Sequence, residues 1–222
     1  MTTATGTPGT KDRILDAAEK LFADEGFTAT SLRAITTEAG VNLAAVNYHF
    51  GSKDRLIEAV FERRLAPLNH ERISLLDALE GSDENPSLEG ILEAFVGPPL
   101  RLHRDTDRGG PTFMRLLGRT LTEPSQAIHE IFVRQFAEIA ARFTPALERA
   151  LPVLPPDEVF WRMHFAIGSM AHTMCDTFRL KLLSAGRCDA GEDIDATIRR
   201  LVSFIAAGLR APVPVDTPGV ET

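Results

Sequence analysis

From Lys11 to Glu25 the apolar residues Ile14, Leu15, Ala18, Leu21 and Phe22 recur at i, i+1, i+4, i+7 and i+8, and Gly26 stands where a C-terminal cap belongs. That spacing is one face of an α-helix. The same period returns in 52–68, 125–151, 156–184 and 193–209, while β-branched runs of strand length are scarce. The predicted class is therefore all-α. Breakers set the expected joints at Gly81–Pro86, Gly97-Pro98-Pro99, Gly109-Gly110-Pro111, Glu123-Pro124, Pro152–Pro156 and Gly186–Gly191, with a kink at Pro67.

Composition narrows the class further. A chain of 222 residues with 44% hydrophobic content has enough apolar surface for a substantial core. It holds no apolar run of membrane-spanning length, and its first ten residues are small and polar without the apolar stretch of a secretory signal, so the expected compartment is the cytoplasm. Cys175 and Cys188 are the two cysteines, with no ligand partners at metal-binding spacing, so neither a disulfide framework nor a metal site is expected. The formal net charge of −7 argues against nonspecific coating of nucleic acid.

Residues 31–50 nevertheless read as helix, tight turn and helix. Leu32, Ile35 and Ala39 lie on the first, Gly40-Val41 at the turn, and Ala45 and Val46 on the second, which Asn42 caps. A helix this short fits a major groove. Ala44 and Ala45 permit close approach to base edges and thymine methyls, and the Asn47 amide matches adenine. Tyr48, His49 and Lys53 are placed to reach phosphates, while Thr10, Lys11, Thr30, Ser31 and Arg33 sit near helix starts where they could clamp the neighbouring strand. Asn42 and Leu43 complete the expected DNA surface.

The run "ILDAAEKLFADEGFTATSLRAITTEAGVNLAAVNYHFGSKDRLIEAV", with its Gly-Phe after the first helix, its Ala-Gly-Val turn and its Tyr-His-Phe-Gly-Ser-Lys-Asp stretch, resembles the DNA-binding domain of the tetracycline-repressor (TetR) family. Leu43 and Asn47 depart from the Lys and Tyr that members often carry there. The resemblance implies a three-helix DNA-binding domain over 10–56, an effector-binding and dimerisation domain over 57–210, and tails over 1–9 and 211–222. It also implies a homodimer in which the helices near 156–184 and 193–209 form a four-helix bundle, with an inverted-repeat DNA operator as partner. The segments "PTFMRLLGRTLTEP" and "ARFTPALERALPVLPPDEVFWRMHFAIGSMAH" resemble the C-terminal domain of fatty-acid-responsive repressors of β-oxidation genes, which implies a fatty acid or acyl thioester as effector.

Charge and bulk support a division of labour. Residues 1–56 carry six basic and seven acidic side chains, a formal −1, which leaves −6 for the rest. Such a head needs pairing in a symmetric dimer to bind DNA specifically. In the body, Phe95, Phe113, Met114, Leu117, Phe132, Phe136, Phe143, Trp161 and Phe165 supply enough bulk to line an apolar cavity between helices, with Arg115, Arg119 or Arg162 placed to meet an acyl headgroup. No catalytic set and no cofactor site is expected. Two alternatives stay open: a helical-bundle enzyme acting on an acyl substrate through Cys175, with His172 one turn earlier, and an architectural DNA-binding module without ligand.

Overall fold

The computed structural model describes residues 9–82, 85–123, 126–175, 177–188 and 193–213, and among them it contains helices and no strands. In chain order the helices are α1 (Thr10–Glu25), α2 (Leu32–Ala39), α3 (Leu43–Phe50), α4 (Lys53–Glu80), α5 (Leu88–Arg104), α6 (Gly110–Thr122), α7 (Gln126–Ala150), α8 (Pro156–Cys175), α9 (Thr177–Leu183) and α10 (Ile194–Arg210). None of them is long and apolar enough to cross a membrane. The expected tails fall outside the described residues apart from Gly9 and 211–213.

Two units emerge, Met1–Glu71 with Arg101–Glu138, and Arg72–Leu100 with Ile139–Thr222. In the first, α1, α2 and α3 pack with the start of α4 and with α6. Ile14, Ala18, Phe22, Ile35, Val46, Leu56 and Phe61 form its buried centre. An aromatic chain runs through it: Phe22 to Phe27 at 5.5 Å between ring centroids, Phe27 to Phe61 at 6.0 Å, Phe61 to Phe132 at 5.9 Å and Phe132 to Phe136 at 4.9 Å. These edge and tilted arrangements each add on the order of 0.5–1.5 kcal/mol beyond apolar burial.

The second unit packs α8 against α10, with Ile198, Leu201, Val202, Ile205 and Leu209 forming the buried stripe of α10. The Asp193 side chain opens that helix by accepting from Ala196 N at 2.9 Å. Arg162 closes it. Its guanidinium donates to the carbonyls of Gly208, Leu209, Ala211 and Pro212, and its Nε donates to Glu158. A cation at the negative end of the helix dipole thus satisfies carbonyls that the helix itself leaves without donors.

The joint expected at Gly97-Pro98-Pro99 lies instead inside α5. Pro99 has no N–H for the carbonyl of Phe95, four residues back, and the Nε of buried Arg72 donates to that oxygen at 2.8 Å. Residues 97–100 are all buried, so packing outweighs the helix-breaking preference. α4 likewise runs through Pro67, and the single helix expected over 156–184 is recorded as α8 and α9.

Candidate nucleic-acid interface

The turn between α2 and α3 is built by four local devices. Ser31 Oγ accepts from Ala34 N at 3.1 Å to start α2, and Asn42 Oδ1 accepts from Ala45 N at 2.9 Å to start α3. Gly40, at φ 62°, ends α2 in the left-handed conformation that an L side chain resists, while Val41 N donates back to Thr36 O at 3.0 Å. Ser52 then opens α4 by accepting from Arg55 N. Val46 and Phe50 hold α3 to the core, and the rest of its surface is left to solvent.

Asn42, Leu43, Ala44, Asn47, Tyr48 and His49 are exposed, Tyr48 at 85%, and Ala45 is half-buried. The Tyr48 and His49 rings meet edge to face at 5.1 Å. Thr10, Lys11, Ser31 and Arg33 are exposed, and Lys53 is half-buried as the first residue of α4. Thr30 corrects the expectation made for it. It has no accessible surface, and its hydroxyl donates to Gly26 O at 2.7 Å, so it braces the α1–α2 turn and is closed to a phosphate.

The charges of this head are sorted by pairing. Asp16 and Glu19 meet Arg63, Glu19 also receives Nε of Arg64 at 2.9 Å, and Asp24 meets Arg115 at 3.1 Å. Lys20 donates to Glu38, which holds the lysine above its ordinary pKa. Lys11, Arg13, Arg33 and Lys53 form no ion pair among the described residues. Four of the seven head carboxylates are thereby compensated, three of them by arginines that lie beyond residue 56, while four cations keep their charge available. The formal −1 therefore understates how attractive the head is to an anion.

α6 grips the end of α1. Arg119 donates to the carbonyls of Ala23 and Asp24, and the Glu123 carboxylate accepts from the N–H of Phe27 at 2.9 Å and of Thr28 at 3.2 Å. Gly26 sits at φ 92° between these contacts, and a Cβ there would run into the Glu123 carboxylate. A cleft of about 270 Å³ adjoins this clasp, lined by Phe27, Lys53, Ile57, Glu123, Ile128 and Ile131 among others. None of its lining residues belongs to the expected effector cavity.

The structure distributes that expected lining among three places. In the first unit Phe113 packs on Phe61 at 6.4 Å and Phe132 on Phe136, while Met114 is buried and Leu117 half-buried. In the second unit Phe95 meets Phe143 at 5.3 Å. Trp161 and Phe165, each 60% exposed, stack on the outer face of α8 at 6.1 Å; they do not line an interior space in one copy of the chain. Arg115, Arg119 and Arg162, the headgroup candidates, are all engaged by protein partners. The side chain of Cys175, on which the enzyme alternative depends, lies outside the described set.

Two buried charged groups escaped the sequence reading. Glu19 falls within the apolar stripe of α1, and Arg72 follows Leu65, Leu68 and Asn69 on that of α4. A charge at a stripe position was the available signal, since burial demands a partner. Arg72 lies over the Phe95 ring, 4.6 Å from its centroid, and burial pushes its pKa down to about 10.

A capped helix, a left-handed glycine turn and an exposed, core-anchored second helix define a helix-turn-helix DNA-binding protein. The family models agree. Residues 14–60 match the bacterial regulatory proteins of the tetR family, and residues 93–208 match the tetracyclin repressor-like C-terminal domain. The chain belongs to the TetR family of bacterial regulatory proteins. It is 41% identical over 87 residues to the HTH-type transcriptional repressor NicS of Pseudomonas putida, a match covering 39% of this chain and 40% of that protein. The chain thus matches well under half the length of this curated relative. Among solved structures, the fatty acid degradation regulator FadR of Bacillus halodurans superposes with a TM-score of 0.60 at 16% identity, over 94% of this chain and 100% of that one. FadR of Bacillus subtilis, in complex with stearoyl-CoA, gives 0.60 at 14% identity, over 89% and 98%. At such identities the likeness is one of fold.

Proposed function

We propose that the protein is a homodimeric transcriptional repressor of the cytoplasm that leaves an inverted-repeat operator when a long-chain fatty acid or acyl thioester binds. In this reading 10–56 is the DNA-reading head and 57–210 the effector-binding and dimerising body. The observation that carries it is α3, anchored by Val46 and Phe50 and otherwise open, on a head whose Lys11, Arg33 and Lys53 enter no ion pair among the described residues. The DNA surface comprises Thr10, Lys11, Ser31, Arg33, Asn42, Leu43, Ala44, Ala45, Asn47, Tyr48, His49 and Lys53, with Thr30 removed.

Pairing of two heads is supported by the face of α8 and α10 that a single chain leaves uncovered. Trp161, Phe165 and Phe204, the last 68% exposed, stand among the small exposed residues Gly168, Ala207 and Gly208. An aromatic patch of this kind on one chain marks an association surface, and a two-fold dimer would place two recognition helices on successive major-groove faces. The acyl effector is supported by the resemblance of 111–124 and 141–172 to fatty-acid-responsive repressors, and by the shared fold of a regulator whose structure holds stearoyl-CoA. Release requires the ligand to favour the off-operator state, typically by about 1–3 kcal/mol.

Fluorescence anisotropy on a selected duplex tests this reading. Addition of stearoyl-CoA or oleate is expected to release the DNA, and short-chain acyl-CoA is not. Release that is indifferent to chain length would remove the acyl effector while leaving the DNA-binding role in place.

A further inference from the structure

α3 is defined as much by what it lacks as by what it offers. Its eight residues, LAAVNYHF, include no Lys, Arg, Asp or Glu. Val46 and Phe50 are buried, and Oδ1 of the capping Asn42 is held by the Ala45 amide. What projects from its first turn and a half is the Leu43 side chain, 41% exposed, the Ala44 methyl and the Asn47 amide. Tyr48 and His49 follow at the C-terminal end, whereas base edges are met chiefly by the N-terminal residues of such a helix.

Each base pair asks for a different reader in the major groove. Guanine presents two acceptors suited to Arg or Lys, and the cytosine amino group calls for a carboxylate. Adenine presents an acceptor and a donor that match one Asn amide, and thymine presents a methyl group that matches an apolar side chain. The groups on α3 fit the last two and leave the first two without a partner.

We propose that α3 is an A·T reader: Leu43 and Ala44 cover thymine C5-methyl groups, Asn47 pairs bidentately with one adenine, and the α3-contacted core of each operator half-site is made of A·T pairs. Guanine recognition is then confined to flanking positions, where the exposed Arg33 of α2 supplies a guanidinium. This inference rests on the reading of α3 as the groove-entering helix. It goes further by assigning the base composition of the partner, from residues that depart from the family's usual pattern.

The test uses the full chain and duplexes with a randomised centre. Selection is expected to enrich an inverted repeat. The positions touched by α3 are those whose base preference relaxes when selection is repeated with Leu43→Ala and Asn47→Ala, and they are expected to be A·T. Replacing thymidine there by deoxyuridine, which removes only the methyl group, is expected to weaken binding about fourfold per covered methyl. Leu43→Ala should lose that sensitivity at the methyl Leu43 covers and keep it at the methyl under Ala44. Asn47→Ala should weaken binding roughly 5- to 150-fold and become indifferent to 7-deazaadenine, which lacks the N7 acceptor. All these changes are to DNA or to exposed side chains, so folding is preserved. G·C pairs at the relaxed positions, or equal affinity for the deoxyuridine duplex, would overturn the A·T assignment and leave the DNA-binding role standing. Failure to enrich any sequence would overturn both.

Discussion

Arg162→Ala offers the sharpest energetic test of the second unit. The guanidinium is nearly buried and faces five acceptors: Glu158 Oε2 at 3.0 Å, the carbonyls of Gly208 and Leu209 at 3.0 Å each, Ala211 O at 2.6 Å and Pro212 O at 3.3 Å. Nη1 serves three of these carbonyls with two N–H groups, so one bond is shared, and four donors act independently. At about 1 kcal/mol net for each, and with Glu158 left without its cation, the loss comes to about 3–5 kcal/mol. For a chain of this size that corresponds to a fall in Tm of about 6–20 °C. Arg142, half-buried and paired with Asp77 and Glu80 where solvent screens the pair, is the control, and Arg142→Ala should lower Tm far less. Arg162→Lys keeps the charge at the end of α10 but cannot fork to several carbonyls, and should fall between the two. Calorimetric unfolding of the three variants is the assay. If Arg162→Ala loses no more than Arg142→Ala, the claim that this side chain closes α10 is wrong.

Other outcomes follow from the same contacts. Phe165→Asp, at an exposed position, should convert a dimer to a monomer in light scattering with Tm little changed by local effects; retention of the dimer would exclude this face of α8 as the interface. Glu123→Ala removes the acceptor of the Phe27 and Thr28 amides, at a cost of about 2 kcal/mol, and should speed hydrogen exchange at those two amides above the change elsewhere in the chain. His103 carries a buried Nδ1 without a hydrogen-bond partner among the described residues, and burial, helped by neighbouring Arg104, holds its pKa below the ordinary 6.5. The unfolded chain therefore takes up this proton first. The stability contributed by the neutral imidazole is present above pH 6.5 and is lost as pH falls through the native value, so His103→Asn should flatten the acid side of a stability-versus-pH curve. An unchanged slope in that variant would place the acid sensitivity elsewhere.

The head was legible because its determinants are local. Ser31, Gly40, Asn42 and Ser52 act within three or four residues of themselves, and the apolar stripe of α1 is uninterrupted except at Glu19. Thr30 and Ser31 look alike at a helix start in sequence; only packing shows that the first faces inward and the second outward. The glycine and two prolines of α5 have the pattern of a joint in sequence because the compensating donor, Arg72, comes from another helix. The aromatic residues of the body carried the least information. A Phe at a helical stripe position is compatible with the core, as for Phe113 and Phe143, and a stripe facing outward, as for Trp161 and Phe165, has the same period. Nothing in the spacing distinguishes these cases.

The cross-pairing of head carboxylates bears on how members of such a family can be recombined. A chimera cut at residue 56 would carry Glu19 away from Arg63 and Arg64, and Asp24 away from Arg115, stranding a buried carboxylate and adding uncompensated negative charge to the head. A graft that keeps its donor's specificity has to take α4 through Arg64 and import the α6 residues 115–123 as well. The smallest transferable reading module in this chain is thus discontinuous in sequence, and regulators that exchange heads by simple domain shuffling would need a different charge arrangement in α1.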